Sequence, residues 1–255
     1  MNKTIDPNPD NRKIYNQNWD AWRNMKIYGP ASRFLRFLTF DLLREANKDK
    51  IKTILDVGCG EGTNTYFLAK EFPNAKVVGI DFSETGIECA KKIYQSDNLA
   101  YRHDVESIHL ENKYDLVTCF EVLEHVEKWE PFLDKLCSAS NLYLMLSFPT
   151  GRMRPNEVNI GHFRNFKTGE VEQYLDSNGI KSIATNYAGF PFYNPIYRDL
   201  CQLKNPADNA MVRQAKYSWK QHFLANIIYI LFRYFSTKKK MGNKFCGLFI
   251  KQITT

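Results

Sequence analysis

The sequence lacks the features that identify several classes of protein. Its six cysteines contain no C-x-x-C pair and no zinc-ligand spacing, so we expect neither a redox dithiol nor a zinc module, and we expect reduced thiols. The residues at the N-terminus contain no apolar core typical of a signal peptide. Arg233 interrupts the apolar run Phe223–Phe232 well before the roughly 20 residues that a membrane span needs. Internal repeats and low-complexity tracts are also absent. We therefore expect a cytoplasmic protein.

The composition is that of an ordinary globular protein. The chain has 255 residues, of which 44% are hydrophobic and 25% are charged, so one large domain with a full core is expected. The formal net charge of +7 at pH 7 suits a nucleic acid, an anionic membrane surface or an anionic small substrate. Charge alone does not distinguish these partners.

A glycine-rich turn follows the first strongly apolar segment. Residues 54–69 read ILDVGCGEGTNTYFLA, which predicts a buried strand, a tight turn and the start of a helix. Gly58, Gly60 and Gly62 alternate, and glycine permits both positive φ and close approach of a ligand to the backbone. The G-x-G-x-x-G pattern of dinucleotide-binding folds would need a glycine where Thr63 stands. We predict a nucleotide-like ligand site that is not a dinucleotide site.

The acid before this turn makes the pattern more specific. Asp56 ends the predicted strand, where it could face a cationic group, and the segment D-V-G-C-G-E-G over 56–62 resembles the first motif of class I S-adenosylmethionine (SAM) dependent methyltransferases. In that family the loop wraps the amino-acid end of SAM. The resemblance implies an α/β fold: a Rossmann-like, doubly wound, seven-stranded sheet with an antiparallel last strand.

Two further acids end the next predicted strands. Asp81 is placed to accept both ribose hydroxyls of SAM, and Phe82 either flanks the adenine or belongs to the core. Asp104 ends the third predicted strand, near the expected position of the adenine amino group. With the resemblance, the predicted cofactor-binding set is Asp56, Gly58, Cys59, Gly60, Asp81, Phe82, Asp104, Val105 and Phe120.

The fourth predicted strand, 114–120, runs directly into Glu121-Val-Leu-Glu124-His125. This phrase resembles a motif of the ubiquinone-biosynthesis O-methyltransferases and of the small-RNA 2′-O-methyltransferases. In those families the two glutamates, the histidine and a second histidine downstream can bind a divalent cation that holds the acceptor. The resemblance implies that Glu121, Glu124, His125 and His162 bind Mg²⁺ or Mn²⁺. The alternative is that the phrase only stabilises the turn beside the acceptor.

The acceptor side is predicted from a basic loop. Arg152, Arg154 and Arg164 are expected to grip a phosphate or carboxylate of the substrate, because arginine binds such groups bidentately. His125 or His162 is the predicted general base, since the histidine pKa lies near the working pH.

Short similarities at 25–33, which include Tyr28, and at 189–193 point to methyltransferases of bacterial surface-glycan synthesis. They imply that Tyr28 contacts a glycan-precursor substrate.

The expected organisation is a single domain. A helical cap (1–50), whose tryptophans cover the cofactor cleft or pack at the sheet edge, precedes the SAM-binding core (51–189). A helical insertion (190–242) and the final strand (243–255) follow. This insertion departs from the ubiquinone type. Its apolar helix, 223–235, is expected to be buried or to lie on an anionic membrane surface.

These patterns predict an enzyme that moves the SAM methyl group to an acceptor oxygen. The expected acceptor is a small anionic molecule, phosphorylated or nucleotide-linked, or a glycan precursor. The alternatives are a quinone or lipid, an RNA 2′-hydroxyl, or a SAM-binding regulatory subunit without turnover. Nucleic acid is not favoured, because the lysines are spread along the chain without an appended RNA-binding module. The sequence leaves the oligomeric state and the choice between oxygen and nitrogen open.

Overall fold

The structure is a computed structural model, and it describes residue 19 and residues 22–103, 113–201 and 216–251. In this part of the chain seven strands form one sheet. They are β1 (Thr53–Val57), β2 (Lys76–Asp81), β3 (Leu99–His103), β4 (Tyr114–Phe120), β5 (Ser140–Pro149), β6 (Ile180–Ala188) and β7 (Lys244–Lys251).

The strand order is β3-β2-β1-β4-β5-β7-β6. The first five strands in this order pair in parallel, whereas β7 is antiparallel to both β5 and β6. The predicted seven-stranded sheet with an antiparallel last strand is confirmed. Since β2 and β4 lie on opposite sides of β1, the chain reverses its direction of winding there. Open α/β sheets bind ligands at the carboxyl ends of the strands at such a point.

Helices cover both faces of the sheet. The main ones are α1 (Pro30–Leu42), α2 (Thr63–Glu71), α3 (Glu84–Ile93), α4 (Trp129–Ala139), α5 (Pro155–Asn159), α6 (Glu170–Ser177) and α7 (Trp219–Phe235). Short helical segments at Phe192–Tyr197 and Arg198–Leu200 precede α7. Residues 22–28 are also helical and lead to Gly29. None of the helices in the described ranges is long and apolar enough to span a membrane.

The two hydrophobic cores follow from the alternation of side chains along the strands. Ile54 points into a core shared with α1 and α2, while the adjacent Leu55 points into a core shared with α4 and α6. Strands buried on both faces are nearly continuous in apolar residues, as β4 and β5 are.

Serine side chains cap the first turns of two helices. Ser83 accepts a hydrogen bond from the backbone N–H of Gly86 and caps α3, and Ser218 caps α7 together with Gln221. The start of α6 differs from these two. Its N-cap is Gly169 in the left-handed conformation, without a side-chain cap.

Two segments distant in the sequence meet on one face of the sheet. The rings of Phe34 in α1 and Phe232 in α7 lie 5.7 Å apart. The predicted cap and the predicted insertion therefore pack against each other, which the sequence pattern did not indicate. The division of the chain into four segments of one domain stays a prediction.

Candidate active site

A cavity of about 740 Å³ lies at the carboxyl ends of β1, β2 and β4. Its lining includes Gly60 after β1, Asp81 at the end of β2 and Phe120 at the end of β4. Trp19 and the residues around Gly29 also line it. The cavity thus occupies the crevice that the sheet topology favours.

The glycine loop is shaped by its neighbours. Gly60 has a φ of 55° and donates its backbone N–H to Asp81 Oδ2 at 2.8 Å. A Cβ atom on Gly60 would lie 2.5 Å from the Trp19 ring, and Trp19 Nε1 in turn donates to Ser83 Oγ at 2.8 Å. Glycine is therefore needed at position 60 both for the positive φ and for the close approach of tryptophan.

Asp81 lies where the sequence predicts a ribose-binding acid. Its two carboxylate oxygens accept hydrogen bonds from the backbone N–H groups of Gly60 and Ser83, and the residue lines the cavity. Burial raises the pKa of Asp81 to about 6, although both hydrogen bonds oppose this shift. Five other members of the predicted cofactor set also line the cavity: Gly58, Cys59, Gly60, Phe82 and Phe120.

Asp56 has a different position from the predicted one. It is buried and does not line the cavity, because its carboxylate accepts hydrogen bonds from Thr65 Oγ1 and Thr118 Oγ1, each at 2.7 Å. The prediction that Asp56 faces a cationic ligand group is therefore not supported. Asp56 instead ties the start of α2 to β4. Asp104 and Val105 lie outside the described residues.

Glu61 is a cavity residue that the sequence reasoning missed. It is buried, lines the cavity and accepts a hydrogen bond from Thr63 Oγ1. The sequence did contain an indication of this role, because Glu61 stands between two glycines and a turn that binds no ligand does not require an acid there. Lys26 and Arg36 also line the cavity and were not predicted.

At the other end of the cavity Glu124, His125 and His162 form a cluster. One potential ligand atom from each residue lies within 4.8 Å of the others. The Oε2 atom of Glu124 is buried and has no hydrogen-bond partner among the described residues. Burial and the nearby Glu121 raise the pKa of Glu124 well above its usual value. An unpartnered buried carboxylate oxygen is costly, so this cluster is suited to a ligand.

Hydrogen bonds define the tautomers of the two histidines. His125 Nδ1 lies 3.2 Å from the carbonyl oxygen of Gly161, which can only accept, so this nitrogen carries the proton. His162 Nδ1 lies 3.3 Å from Asn165 Oδ1 and carries the proton in the same way. Burial lowers the pKa of His125 to about 3 and also lowers that of His162. Both rings are therefore neutral near pH 7, with an unprotonated Nε2.

Glu121 does not join this cluster. It has a φ of 57°, accepts from Ser147 Oγ at 2.8 Å and forms an ion pair with the buried Lys244. Burial by itself would raise the pKa of Glu121, but the Lys244 ammonium outweighs it and the pKa lies below its usual value. The prediction of a common helical face was wrong, because only the short 3₁₀ turn Leu123–His125 is helical here. The structure does not support Glu121 as a metal ligand.

Arg152 and Arg154 are engaged elsewhere in the protein. The buried Arg154 donates through Nε to Asp199 at 2.7 Å and through Nη2 to Asn194 at 2.8 Å. Arg152 donates to the same Asp199 at 2.9 Å. Neither arginine lines the cavity. The predicted arginine clamp for an anionic substrate is not supported; these residues fasten the loop after β5 to the segment before α7.

The remaining predicted substrate residues also lie outside the cavity lining. Arg164 donates to the carbonyl oxygen of Glu127 at 2.5 Å. The Tyr28 ring packs against His222, 4.7 Å away, on the outer side of α1 and α7. Direct contact of Tyr28 or Arg164 with a substrate in this cavity is therefore not supported.

The cavity also has an apolar and aromatic wall that the sequence did not predict. Its side chains come from α7 and from the segments before it, and also from the loop after β5. We call the following residues the acceptor wall: Ile160, Tyr197, Leu200, Tyr217, Leu224 and Ile228.

A family model described as a methyltransferase domain matches residues 48–223. Among curated proteins, a mitochondrial ubiquinone biosynthesis O-methyltransferase of Schizosaccharomyces pombe is 39% identical over 124 residues, which cover 46% of this chain and 44% of that protein. A ubiquinone biosynthesis O-methyltransferase of Coxiella burnetii is 35% identical over 122 residues, or 46% and 47% of the two chains. The alignments therefore span less than half the length of these relatives.

Solved structures have the same architecture. Magnesium protoporphyrin IX methyltransferase of Synechocystis PCC 6803 with bound SAM matches with a TM-score of 0.57 and 17% identity, covering 95% of this chain and 98% of that one. The plantazolicin methyltransferase BpumL, in complex with S-adenosylhomocysteine (SAH), matches with a TM-score of 0.53, 17% identity and coverage of 96% and 98%. At identities this low, these matches show that the folds are alike and nothing further.

Proposed function

Because this chain belongs to the class I SAM-dependent methyltransferases, whose domain model matches residues 48–223, we propose that it methylates a hydroxyl of a small, largely apolar acceptor. The observation that carries this proposal is one cavity lined both by the glycine loop and by the Glu124, His125 and His162 cluster. A methyl donor and an acceptor can meet in such a cavity. Alignment of two reactants in a water-poor site is the main requirement of this chemistry.

In the proposed complex the glycine loop and Asp81 hold SAM. Each carboxylate oxygen of Asp81 accepts one backbone N–H and retains a second lone pair, which a ribose hydroxyl can use. The backbone around Gly60 lies next to the donor, and Trp19 covers the loop from the opposite side. These contacts position the methyl group without covalent participation of the protein.

The acceptor hydroxyl is proposed to lie against the two histidines. Its oxygen attacks the methyl carbon, the bond from carbon to the SAM sulfur breaks, and neutral SAH leaves. The hydroxyl proton passes to the unprotonated Nε2 of His162, because the low pKa of His125, about 3, makes that ring a weak base and does not support its predicted role as general base. The Nδ1–H bond to Asn165 holds His162 in the tautomer that this transfer needs.

Glu124, His125 and His162 also fit a divalent cation such as Mg²⁺ or Mn²⁺. The donor set combines a buried, unpartnered carboxylate oxygen with two neutral imidazoles whose Nδ1–H groups are already oriented. When bound, the cation would lower the pKa of the acceptor hydroxyl. Glu121 does not belong to the proposed site, since Lys244 already neutralises it.

The acceptor wall supports an apolar or aromatic body for the substrate. Leu224, Ile228 and Tyr217 line the same cavity as the two histidines and present carbon surface, which suits a phenol or quinol ring better than a sugar phosphate. The matched curated relatives are ubiquinone biosynthesis O-methyltransferases, and this resemblance supports the same acceptor class.

An anionic or glycan-precursor acceptor remains the second candidate. Lys26 lines the cavity, and its ammonium nitrogen lies 6.0 Å from the centre of the Trp19 ring. A phosphate or carboxylate could pair with this ammonium. The loop arginines no longer support this candidate.

We also propose that the protein works in the cytoplasm. Cys59, Cys119, Cys137 and Cys246 are buried and form no disulfide. Unpaired buried thiols fit a reducing compartment.

The test is methyl transfer from SAM to matched acceptors. Calorimetry with SAM and SAH first establishes donor binding. Catechols with an apolar tail are then compared with phosphorylated and nucleotide-linked sugars, each with and without a chelator. Preference for the catechol supports the first candidate, and preference for the sugar phosphate, reduced by Lys26→Ala, supports the second. Loss of turnover on chelation, restored by Mg²⁺ or Mn²⁺, supports the cation; absence of SAM binding contradicts the whole proposal.

A further inference from the structure

Helix α7 (Trp219–Phe235) has apolar residues on two opposite faces. One face is buried against α1, where Ala225 and Phe232 are almost fully covered. The other face is exposed. Trp219 is 73% exposed, Phe223 63% and Tyr234 67%. A helix on the surface of a globular protein normally carries polar residues on its outer face, so this second apolar face needs an explanation.

The exposed residues follow the helix periodicity. Their spacing is four, four, three and four residues, which places them in one line along the helix. We call this line the exposed stripe, and its members are Trp219, Phe223, Ile227, Ile230 and Tyr234. Leu224 and Phe235 extend it sideways. A continuous apolar surface of this kind marks an interaction site more often than scattered surface residues do.

Basic residues surround the exposed stripe. Lys220 lies beside its first residue, Arg233 beside its last, and the run Lys238–Lys240 follows the helix and is exposed. The 36 described residues from 216 to 251 contain no aspartate or glutamate. The surface is therefore both apolar and positively charged.

A groove between α7 and α1 adds to this charge. It has a volume of about 720 Å³, and its lining contains four arginines but a single acid, Asp41. The guanidinium group of Arg33 lies over the ring of Tyr229, 3.9 Å from its centre, and that of Arg233 lies 4.5 Å from the centre of the Phe37 ring. Guanidinium groups held in this way bind phosphate oxygens well.

We propose that α7 lies in the surface of an anionic phospholipid bilayer. The exposed stripe contacts the acyl chains, tryptophan and tyrosine lie at the headgroup level, and the groove arginines hold lipid phosphates. A second copy of this chain is a poorer occupant, because it would bring Lys220, Arg233 and Lys238–Lys240 against the same positive charges. An anionic bilayer complements both the apolar surface and the charge.

Docking would also determine how the acceptor reaches the active site. Leu224 extends the exposed stripe and also lines the catalytic cavity, and Ile228, one turn further along α7, lines the cavity too. An acceptor dissolved in the bilayer could therefore reach the histidines along this helix. This consequence rests on the proposed function, whereas the membrane contact itself does not.

The test is sedimentation of the full chain with vesicles of phosphatidylcholine alone or mixed with phosphatidylglycerol. We expect binding to the mixed vesicles that weakens at high salt. The triple variant Trp219→Ser, Phe223→Ser and Tyr234→Ser should bind at least about tenfold more weakly, because three large apolar contacts are lost. The matched control Val158→Ser with Ile196→Ser changes exposed apolar residues elsewhere and should bind like the wild type.

The basic run has its own control. Lys238→Ala with Lys239→Ala should weaken binding several-fold, whereas Lys91→Ala with Lys92→Ala, an equal loss of charge on α3, should not. Circular dichroism and thermal unfolding establish that each variant is folded.

The proposal is overturned if the wild type does not bind the mixed vesicles or if the triple variant binds them undiminished. Self-association that the triple variant abolishes, without vesicle binding, would assign the surface to a second copy. Methyl transfer to a soluble acceptor is measured on the same samples. Transfer without vesicle binding contradicts the membrane contact alone, and vesicle binding without transfer contradicts the proposed function alone.

Discussion

The two ends of the cavity are built in different ways. At the donor end the glycine loop, Asp81 and Trp19 satisfy one another through short hydrogen bonds and close packing. At the acceptor end the turn after β4 buries Glu124 with an oxygen that has no partner among the described residues. The donor end is therefore complete in the absence of ligand, whereas the acceptor end gains a missing interaction when a proton donor or cation arrives.

This difference separates affinity from reactivity. Binding of SAM should depend on the backbone geometry of the donor end, and turnover should depend on the titratable groups of the acceptor end. The ion pair of Glu121 and Lys244 lies beside the acceptor end, and it keeps the Glu121 carboxylate out of the cluster formed by Glu124, His125 and His162. Each of the following changes should affect one end and leave the other nearly unchanged.

The largest effect is expected at the acceptor cluster. His162→Ala and Glu124→Gln should each lower kcat/KM by about 10²–10⁴-fold, because the first removes the proton acceptor and the second removes the buried carboxyl group beside it. SAH affinity, measured by calorimetry, should change less than about twofold. A twofold change corresponds to roughly 0.4 kcal/mol in the free energy of binding.

His222→Ala is the matched control for this prediction, since this histidine lies in the outer groove and not in the cavity. Its turnover on a soluble acceptor should equal that of the wild type. A large loss of SAH affinity in His162→Ala would show that the two ends are not separable.

The ion pair should have the next largest effect. Glu121→Gln leaves the buried Lys244 ammonium without its partner and should lower the free energy of unfolding by about 2–4 kcal/mol. This loss is smaller than for a wholly buried pair, because Glu121 is partly exposed. The double variant Glu121→Gln with Lys244→Met should recover most of this loss. Urea unfolding measures both.

The control pair is Lys181 and Asp176, which are both largely exposed. Neutralising either should change the free energy of unfolding by less than about 1 kcal/mol. If Glu121→Gln proves equally mild, the pair does not organise the acceptor end.

A change in the glycine loop should affect the donor end. Gly60→Ala would place a methyl group 2.5 Å from Trp19 at a positive φ, and should cost about 2 kcal/mol of stability and more than tenfold in SAM affinity. Gly169→Ala has a φ of 83° with no atom within 4 Å of the added methyl, so it should show only the backbone cost of about 1 kcal/mol.

Calorimetry with SAM and urea unfolding distinguish these outcomes. Equal affinities for Gly60→Ala and the wild type would mean that the contact between Trp19 and the loop does not shape the donor site.

The smallest effect concerns pH. Because the pKa of Asp81 is about 6 and ribose hydroxyls bind the ionised carboxylate, SAM affinity should be full above this pH and fall about fourfold between pH 7 and 5.5. Stability without ligand should follow the opposite trend. Folding raises this pKa from its ordinary 3.8, so the folded state binds the extra proton, and the contribution of Asp81 is lost as pH rises through about 6.

Asp81→Asn should bind SAM weakly with little dependence on pH in this range. Asp56→Asn removes an acid of similar pKa that does not line the cavity, so it should retain the fall in affinity. A flat pH profile in the wild type would contradict the assignment of the ribose contact to Asp81.

The fold and the donor end were predictable because they depend on residues that are close in the sequence. The apolar strands, the three glycines and the acid that ends β2 each act within a few residues of the chain. Hydrophobic periodicity and the conformational freedom of glycine are local properties of the chain. The sequence by itself therefore determined the class of fold and where its cofactor crevice lies.

Only the tertiary structure decided which charges belong to the acceptor end. Glu121 pairs with Lys244, 123 positions away, and Arg154 pairs with Asp199, 45 positions away. A buried charge must be paired, and the nearest opposite charge is set by packing and not by sequence spacing. For the same reason the sequence predicted that the loop arginines bind a substrate, whereas in the folded protein they bind other residues of the chain.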